Sequence, residues 1–313
     1  MVHPPSVAVI DIGSNSIKLL VAARGTAGVL QALTQATFDV RISAGLSRVR
    51  PQLGEAGMAD GLAAIAQLLA LAAPFHPART ILVATSAVRD AGNGAEFRAR
   101  VEAATGHTVR ILTGEEEAGL IGRGLLCDPA LANFEDFYVF DLGGGSLECL
   151  SFHRQRIVQA LSLRLGCVRL TEQFVADITV PFSDAARTAV ADHTRAELAR
   201  SGFRFDVPDG RAVFAGGSMT TARAILAARA GRPLAETPPV LSLIEIRTLF
   251  DTLAALPLAA RKSVPGLPAA RADVFPTALA TMLAVAEAGG ITAFHHSLYN
   301  LRWGLAAEAL GQG

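Results

Sequence analysis

The sequence predicts a mixed α/β protein that is built from two repeated halves. Strand and helix patterns alternate after an opening hairpin, which is typical of mixed α/β domains. One motif occurs twice, because Asp11-Ile12-Gly13-Ser14 and Asp141-Leu142-Gly143-Gly144 share an acid, an aliphatic residue, a glycine and a small residue. The length of 313 residues is sufficient for two domains of ordinary size.

The first half is predicted to open with the hairpin and to continue with alternating helices and strands. Its predicted strands cover residues 7–12, 17–22, 29–39, 80–85 and 109–112. Its predicted helices cover residues 60–73, 95–105 and 115–126. Pro74 ends the first of these helices, and Asp128-Pro129 follows the last. We therefore place a domain boundary there, which gives domains 1–128 and 129–313.

The second half repeats the strand–turn–strand opening and then becomes mainly helical. Its predicted strands cover residues 138–142, 147–152, 157–163, 213–215 and 291–294. Its predicted helices cover residues 184–199, 219–230, 243–256, 277–288 and a last segment from 301. If the two halves face each other, both Asp-Gly turns open into one cleft.

Composition excludes several classes of function. The chain has 28 Lys+Arg and 28 Asp+Glu, so it has no bulk positive charge for binding nucleic acid. An apolar fraction of 51% and a charged fraction of 18% predict a large folded core. Three scattered cysteines predict neither a disulfide framework nor a zinc site. The N-terminus lacks a signal-peptide pattern, and the longest apolar run, 62–73, is too short to cross a bilayer. We expect a cytoplasmic protein without a membrane partner.

The two Asp-Gly turns are the strongest functional candidates. Glycines let backbone N–H groups approach a phosphate closely, and an acid at the end of a strand can hold Mg²⁺. The alternative is a pair of tight turns with solvated aspartates. Two turns in register, one of them Gly143-Gly144-Gly145-Ser146, favour a site for a magnesium-bound phosphate. Gly216-Gly217-Ser218, between a strand and a helix, offers a third anion-binding segment.

Two basic residues accompany these turns. Arg89, in Thr85-Ser86-Ala87-Val88-Arg89, follows a predicted strand and can hold phosphate oxygens with its planar guanidinium group. Lys18 lies in the strand after the first turn and can meet a phosphate as a point charge. Arg41 is a weaker candidate. The alternative for each is an ordinary surface charge.

Three consecutive acids, Glu115, Glu116 and Glu117, open a predicted helix. Acids in the first turn complement the helix dipole, which is sufficient reason for their presence. Neighbouring helical residues point about 100° apart, however, so one of them can turn inward while the others stay solvated. An inward carboxylate can orient water for attack on a phosphoanhydride. Spacing alone does not choose among the three.

Taken in order, these motifs resemble the exopolyphosphatase and guanosine pentaphosphate phosphatase family, within the actin, Hsp70 and sugar kinase superfamily. The resemblance extends over nearly the whole chain, through 11–16, 85–89, 114–121, 141–146, 164–168 and 216–218. It implies two ribonuclease-H-like (actin-like ATPase) domains with an active site in the cleft between them. It implies Mg²⁺-dependent release of terminal phosphate from inorganic polyphosphate, or of the 5′ γ-phosphate from guanosine pentaphosphate.

The resemblance also implies roles for individual residues. It assigns Glu117, the glutamate before Ala118, as the catalytic base, and Asp11 and Asp141 as the metal-binding acids. The phosphate-binding positions are Gly13, Ser14, Asn15, Ser16, Lys18, Arg89, Gly143, Gly144, Gly145, Ser146, Gly216, Gly217 and Ser218. A homodimer is expected by family analogy only.

Two positions depart from the family pattern. Gly119 stands where the family usually has arginine, and Trp303 stands where it often has glutamate. The chain resembles the short form of the family, without a helical HD-type extension. Two alternatives therefore stay open: a non-catalytic sensor that binds polyphosphate or a guanine alarmone, and an ATPase or kinase of the wider superfamily.

Overall fold

The computed structural model describes residues 5–26, 28–44, 51–207 and 211–311. Its contacts divide the chain into two compact units. Unit 1 comprises Met1–Ala132 and Tyr299–Gly313, and unit 2 comprises Asn133–Leu298. Both units are mixed α/β, as the sequence predicts.

The helices and strands are numbered in chain order. The strands are β1 (Ser6–Ile12), β2 (Ile17–Arg24), β3 (Leu30–Phe38), β4 (Arg79–Ala84), β5 (Val109–Ile111), β6 (Phe137–Leu142), β7 (Leu147–His153), β8 (Arg156–Leu163), β9 (Ala212–Ala215), β10 (Val240–Ser242) and β11 (Ala293–His296). The helices are α1 (Glu55–Ala72), α2 (Ser86–Asp90), α3 (Gly94–Thr105), α4 (Gly114–Leu125), α5 (Cys167–Phe174), α6 (Asp184–Ser201), α7 (Gly216–Arg229), α8 (Leu243–Ala254), α9 (Leu258–Arg261), α10 (Phe275–Gly289) and α11 (Leu301–Ala309).

The two sheets confirm the internal repeat. The sheet of unit 1 has the order β3-β2-β1-β4-β5, and that of unit 2 has the order β10-β11-β9-β6-β7-β8. In each unit three antiparallel strands are followed by strands parallel to the first. Read from β8, the strand order of unit 2 therefore matches that of unit 1 read from β3, with the edge strand β10 added. By this correspondence α2 and α7 are equivalent, because each follows the parallel strand next to the first strand.

In unit 1 both faces of the sheet are covered. Successive side chains of β1 point to opposite faces. Ala8, Ile10 and Ile12 join the core formed with α1 and α3, whereas Val7 and Val9 are buried outside that cluster. The helix α11 packs against β1, β2 and α4. A strand that is buried on both faces reads as a continuous apolar run, which explains the sequence pattern here.

The helix α1 is longer than the sequence analysis predicted. It begins at Glu55, and the helical stretch Glu55–Phe75 is long and apolar enough to span a bilayer by length and composition. Its buried side chains include Met58, Ile65 and Leu68, which belong to the core of unit 1. The buried face of α1 therefore packs into the core of unit 1.

The C-terminal helix packs in unit 1, although the expected range 129–313 placed it in the second domain. Gly124 of α4 and Gly304 of α11 meet at the crossing of their helices. A Cβ atom on Gly304 would overlap the carbonyl of Leu120, and one on Gly124 would overlap that of Asn300. Only glycines allow this approach, so the pair fixes α11 against α4.

Four of the numbered elements escaped the sequence analysis, and two were displaced. The elements not predicted are α2, α5, the four-residue helix α9 and the three-residue edge strand β10. The helix α7 begins at Gly216, so the Gly-Gly-Ser triplet forms its first turn and does not precede it. The last strand of unit 2 lies at Ala293–His296, two residues after the predicted position.

Candidate active site

The turn after β1 is held from one side by a neighbouring segment. The Gly13 N–H donates to the carbonyl of Ser16 over 3.1 Å. The carbonyl of Ser14 accepts from both the N–H and the hydroxyl of Ser43, and that of Asn15 accepts from the N–H of Arg41. The Arg41 Nε also donates to Asn15 Oδ1 over 3.2 Å, so Arg41 supports the turn.

The turn after β6 has the same geometry. The Gly143 N–H donates to the carbonyl of Ser146 over 3.0 Å. The first turn of α5 packs on this loop, because the Cys167 N–H donates to the Gly143 carbonyl and the Val168 N–H to the Gly144 carbonyl. Arg169 completes the contact, with its Nε 2.9 Å from the Gly145 carbonyl oxygen.

The direction of the peptide groups gives both turns their chemical character. A trans peptide carries its C=O and N–H on opposite sides. Since the carbonyls of residues 143–145 point toward α5, the N–H groups of residues 144–146 point away from it. In unit 1 the same argument turns the N–H groups of Asn15 and Ser16 away from the supporting segment. Each turn therefore presents adjacent N–H donors on one side, an arrangement that suits phosphate oxygens.

The two aspartates lie opposite different partners on the neighbouring strand. Asp11 pairs in register with Lys18 across β1 and β2, whereas Asp141 pairs with Glu148 across β6 and β7. Residues opposite each other on antiparallel strands share a face of the sheet. Unit 1 thus places an acid beside a cation, and unit 2 places two acids side by side. Glu148 is buried and accepts from the hydroxyl of Ser162 over 2.7 Å.

Asp11 lies in a strongly desolvated position. Burial raises the pKa of its carboxyl group, and the positive charges of Lys18 and Arg302 oppose that rise. Arg302 reaches the sheet from α11, where it donates to the carbonyl of Leu19 over 2.8 Å. Arg302 is therefore a basic residue of this site that the sequence analysis did not assign.

The third glycine segment lies directly against Asp141. Gly216 has φ +82°, and a Cβ atom there would overlap the Asp141 carboxylate. The hydroxyl of Ser218 donates to the carbonyl of Leu142 over 3.0 Å, so the first turn of α7 is fixed to the end of β6. The guanidinium group of Arg271 covers Gly217 so closely that a Cβ atom would overlap it. Sequence reasoning missed Arg271, because nothing local connects it with residues 216–218.

The three acids of α4 have three different environments. Glu116 closes a capping box with Thr113 and pairs with Arg110 over 2.6 Å. Glu115 is exposed, and Glu117 is buried at 6% exposure. The pattern Thr-x-x-Glu, present as Thr113 to Glu116, is the signature of a capping box and was available in the sequence. Only Glu117 turns inward, which is the residue that the family resemblance selects.

Arg89 holds Glu117 in place. One guanidinium nitrogen of Arg89 lies 2.8 Å from Glu117 Oε2 and also donates to the carbonyl of Leu112 over 3.0 Å. The helix α2 that carries Arg89 is tied to the first glycine turn, because Ser86 Oγ lies 3.0 Å from Ser14 Oγ. The structure thus brings together the first turn, Arg89 and Glu117 within unit 1.

The two departures from the family pattern have simple structural consequences. A Cβ atom on Gly119 would meet no heavy atom within 4 Å, so the position borders open space. Trp303 is 4% exposed and its ring centroid lies 4.2 Å from that of Tyr299. A packed aromatic pair therefore stands where a charged group would otherwise lie.

Comparison with known proteins identifies the family to which the chain belongs. A family model described as the Ppx/GppA phosphatase family matches residues 20–312. The chain is 29% identical over 312 residues to a guanosine-5′-triphosphate,3′-diphosphate pyrophosphatase of Pseudoalteromonas translucida strain TAC 125. That alignment covers 98% of this chain and 58% of the relative, so the chain spans somewhat over half the relative's length.

Solved structures show the same fold. The Aquifex aeolicus PPX-GPPA enzyme is 25% identical with a TM-score of 0.78, covering 97% of this chain and 99% of that one. An exopolyphosphatase from Cytophaga hutchinsonii ATCC 33406 is 22% identical with a TM-score of 0.86 and 97% coverage of both chains, a likeness of fold alone. The repeated sheets define a two-domain protein of the actin-like ATPase fold class. The chain belongs to the Ppx/GppA phosphatase family.

Proposed function

We propose that this chain is a phosphoanhydride hydrolase that releases terminal orthophosphate from inorganic polyphosphate, or the 5′ γ-phosphate from guanosine pentaphosphate. The observation that supports it most directly is the inward Glu117 carboxylate, held by Arg89 on a helix tied to the first glycine turn. The names of the family and its relatives agree with this substrate class.

The glycine turns are proposed to bind the phosphate chain. Adjacent N–H donors of residues 15–16 and 144–146 match the oxygens of a phosphate, and backbone donors need no reorganisation during the reaction. Lys18 and the first turn of α7, residues 216–218, add a positive charge and a helix N-terminus. That both turns open into one cleft stays a prediction of the sequence analysis.

Glu117 is proposed to orient the attacking water and to accept its proton. Phosphoryl transfer depends mainly on positioning and on stabilisation of charge, so a fixed carboxylate is the suitable group. Arg89 has two effects in this proposal. It fixes the Glu117 carboxylate by a direct hydrogen bond, and it adds positive charge beside the phosphoryl group.

The residues of unit 2 suit a magnesium ion. Asp141 and Glu148 share one face of the sheet, and paired carboxylates are ligands that a hard cation prefers. Within the described ranges no group of three or more His, Cys, Asp or Glu side chains converges as a metal site, so water and substrate oxygens would complete the coordination. Bound Mg²⁺ would supply neutralisation of the phosphate charge. Asp11, which faces Lys18, is the proposed acid of unit 1.

The two alternative functions require different features of the site. A sensor needs the turns but not the oriented carboxylate, and an ATPase or kinase needs an adenosine pocket beside residues 216–218. The oriented Glu117 carboxylate supports hydrolysis over the sensor, and the names of the family and of its relatives support a phosphatase over an ATPase or kinase. A homodimer and a location in the cytoplasm stay predictions.

The direct experiment compares phosphate release from short polyphosphate, long polyphosphate, guanosine pentaphosphate and ATP in the presence of Mg²⁺. The proposal expects release from polyphosphate or guanosine pentaphosphate to exceed release from ATP. Tight binding of polyphosphate without release over hours would support the sensor, and faster release from ATP would support the ATPase.

A further inference from the structure

A groove on unit 2 carries an excess of arginine and has no part in the proposed reaction. It lies over α10, between α6 and α8, and is open to solvent, with a volume of about 200 Å³. Its charged side chains are Arg187, Arg195, Arg247 and Glu287. None of them belongs to the glycine turns, to Glu117 or to the acids proposed to bind Mg²⁺.

Small side chains make the groove. Ala280 and Ala284 of α10 are buried and form its floor, and Ala191 of α6 lies in its wall. Arg187, Ala191 and Arg195 are spaced four residues apart, so they share one face of α6. The two arginines of α6 therefore border the same depression, with Arg247 on α8 as the third.

One carboxylate compensates two of these arginines. Glu287 accepts from Arg195 with one oxygen over 3.2 Å and from Arg247 with the other over 3.0 Å. Arg195 also pairs with Asp192 over 2.6 Å. Arg187 has a different environment, because its guanidinium carbon lies 5.2 Å from the ring centroid of Phe250.

The charges are therefore unbalanced toward positive. Three guanidinium groups border a groove that contains one carboxylate, and Asp192 neutralises one arginine from outside it. Planar guanidinium forks bind phosphate oxygens in pairs, and a ring beneath a guanidinium group leaves its edge available for such bonds. After Glu287 and Asp192 are counted, one positive charge remains, and the volume and the small floor suit a compact anion.

We infer that this groove is a second anion site of the protein, which binds a short phosphoanhydride such as pyrophosphate or the diphosphate group of a nucleotide. The inference does not depend on the proposed activity. The floor of the groove is formed by α10, and the same helix contacts α5 through a 2.7 Å hydrogen bond between Thr277 and Thr171. Ala284 is seven residues further on, about 10 Å along the axis of α10.

The test is isothermal titration calorimetry with pyrophosphate in metal-free, low-salt buffer, on the whole chain. The variant is the double substitution Arg187→Gln with Arg247→Gln. Its control is Arg200→Gln, because Arg200 lies exposed on the same helix, pairs with Glu197 and does not line the groove. We expect the double variant to bind one pyrophosphate fewer than the wild type, and the control to bind the same number.

This difference separates the inference from the proposed function. If the glycine turns also bind pyrophosphate, the number of sites falls from two to one. If they do not, it falls from one to none. An unchanged number of sites in the double variant overturns the inference. Titration with GDP identifies the source of the diphosphate, because tighter binding of GDP than of pyrophosphate indicates a nucleotide and the reverse indicates a free anion.

Two further variants keep the test decisive if the double variant fails to fold. Ala191→Leu fills the groove without changing its charge and should also remove one site. Glu287→Gln removes the competing carboxylate and should tighten pyrophosphate binding by about tenfold, since a negative charge beside the bound anion is lost. Loss of affinity in Glu287→Gln overturns the inference. So does self-association that the double variant abolishes while all pyrophosphate sites remain, because that result assigns the groove to a protein partner.

Discussion

The guanidinium group of Arg89 donates a hydrogen bond to the carboxylate of Glu117 over 2.8 Å. The side chain of Glu117 is 8% exposed and that of Arg89 is 22% exposed, so the pair lies mostly out of water. The same nitrogen of Arg89 is fixed by the carbonyl of Leu112. The carboxylate is thereby held in one orientation, which a group that positions water requires.

Removing the arginine should therefore destabilise unit 1. In Arg89→Met the buried Glu117 carboxylate loses the hydrogen bond from Arg89, and we expect a loss of about 1–3 kcal/mol in the free energy of unfolding. Urea unfolding measures this loss. The double variant Arg89→Met with Glu117→Gln should regain part of it, because the buried charge is gone. A double variant less stable than Arg89→Met would contradict a coupled pair.

The contact between Gly166 and the second glycine turn should be intolerant of any side chain. A Cβ atom on Gly166 would overlap the backbone of Gly144 and Gly145. We expect Gly166→Ala to lose about 1–3 kcal/mol of stability and to impair phosphate release, because the turn must shift. Unfolding and release assays on the same preparation check both. Gly202→Ala does not serve as the control, because Gly202 has φ +75° and an alanine there would be strained for a different reason.

The crossing of α4 and α11 supplies a matched pair of substitutions. Gly304→Ala should destabilise the protein by about 1–3 kcal/mol, because its Cβ atom meets the Leu120 carbonyl. Gly119→Ala lies in α4 where the Cβ atom meets open space, and should stabilise by about 0.5–1 kcal/mol. Thermal unfolding of both variants measures the two changes in stability. Equal effects would show that the close approach at Gly304 is absent.

His296 should make the protein less stable in mild acid. Burial and the charge of Arg223 lower the pKa of His296 from 6.5 to about 3, and Arg223 lies 2.8 Å from its Nδ1. The unfolded chain then binds more protons than the folded one between these two pH values, so stability falls as the pH falls through that window. From pH 7 to pH 5 the contribution of this group is about 2 kcal/mol.

The variant His296→Asn isolates this contribution. Its stability should change less between pH 7 and pH 5 than that of the wild type, as measured by urea unfolding at each pH. His76→Asn is the control, since His76 is exposed. An identical pH dependence in His296→Asn and the wild type would contradict the assignment.

Much of the fold follows from local patterns. The hairpins at both Asp-Gly turns combine β-branched runs with glycine, and the repeat of Asp11 and Asp141 predicts the matching sheet orders that the structure confirms. The missed elements are short. The strand β10 has three residues, and the helices α9, α2 and α5 have four, five and eight.

The candidate site likewise combines residues that the sequence identifies with contacts that it does not. The turns, Arg89 and the acids of α4 were identifiable because each lies in a continuous motif. The contacts of Asp141 with Gly216 and of Gly217 with Arg271 join segments that are far apart in sequence, and they arise only when the sheet of unit 2 forms. Arg302 likewise reaches β2 from the C-terminal helix, a placement that no local pattern encodes.

The central claim is that Glu117 acts as the base in phosphate release. The measurement is the initial rate of orthophosphate release from polyphosphate and from guanosine pentaphosphate with Mg²⁺, for the wild type, Glu117→Gln and the neighbouring control Glu115→Gln. We expect Glu117→Gln to fold normally and to lose about 10²–10⁴-fold in rate, and Glu115→Gln to keep the wild-type rate. Equal rates for Glu117→Gln and the wild type would contradict the account. A comparable loss of rate in Glu115→Gln would show that Glu117 is the wrong choice of base.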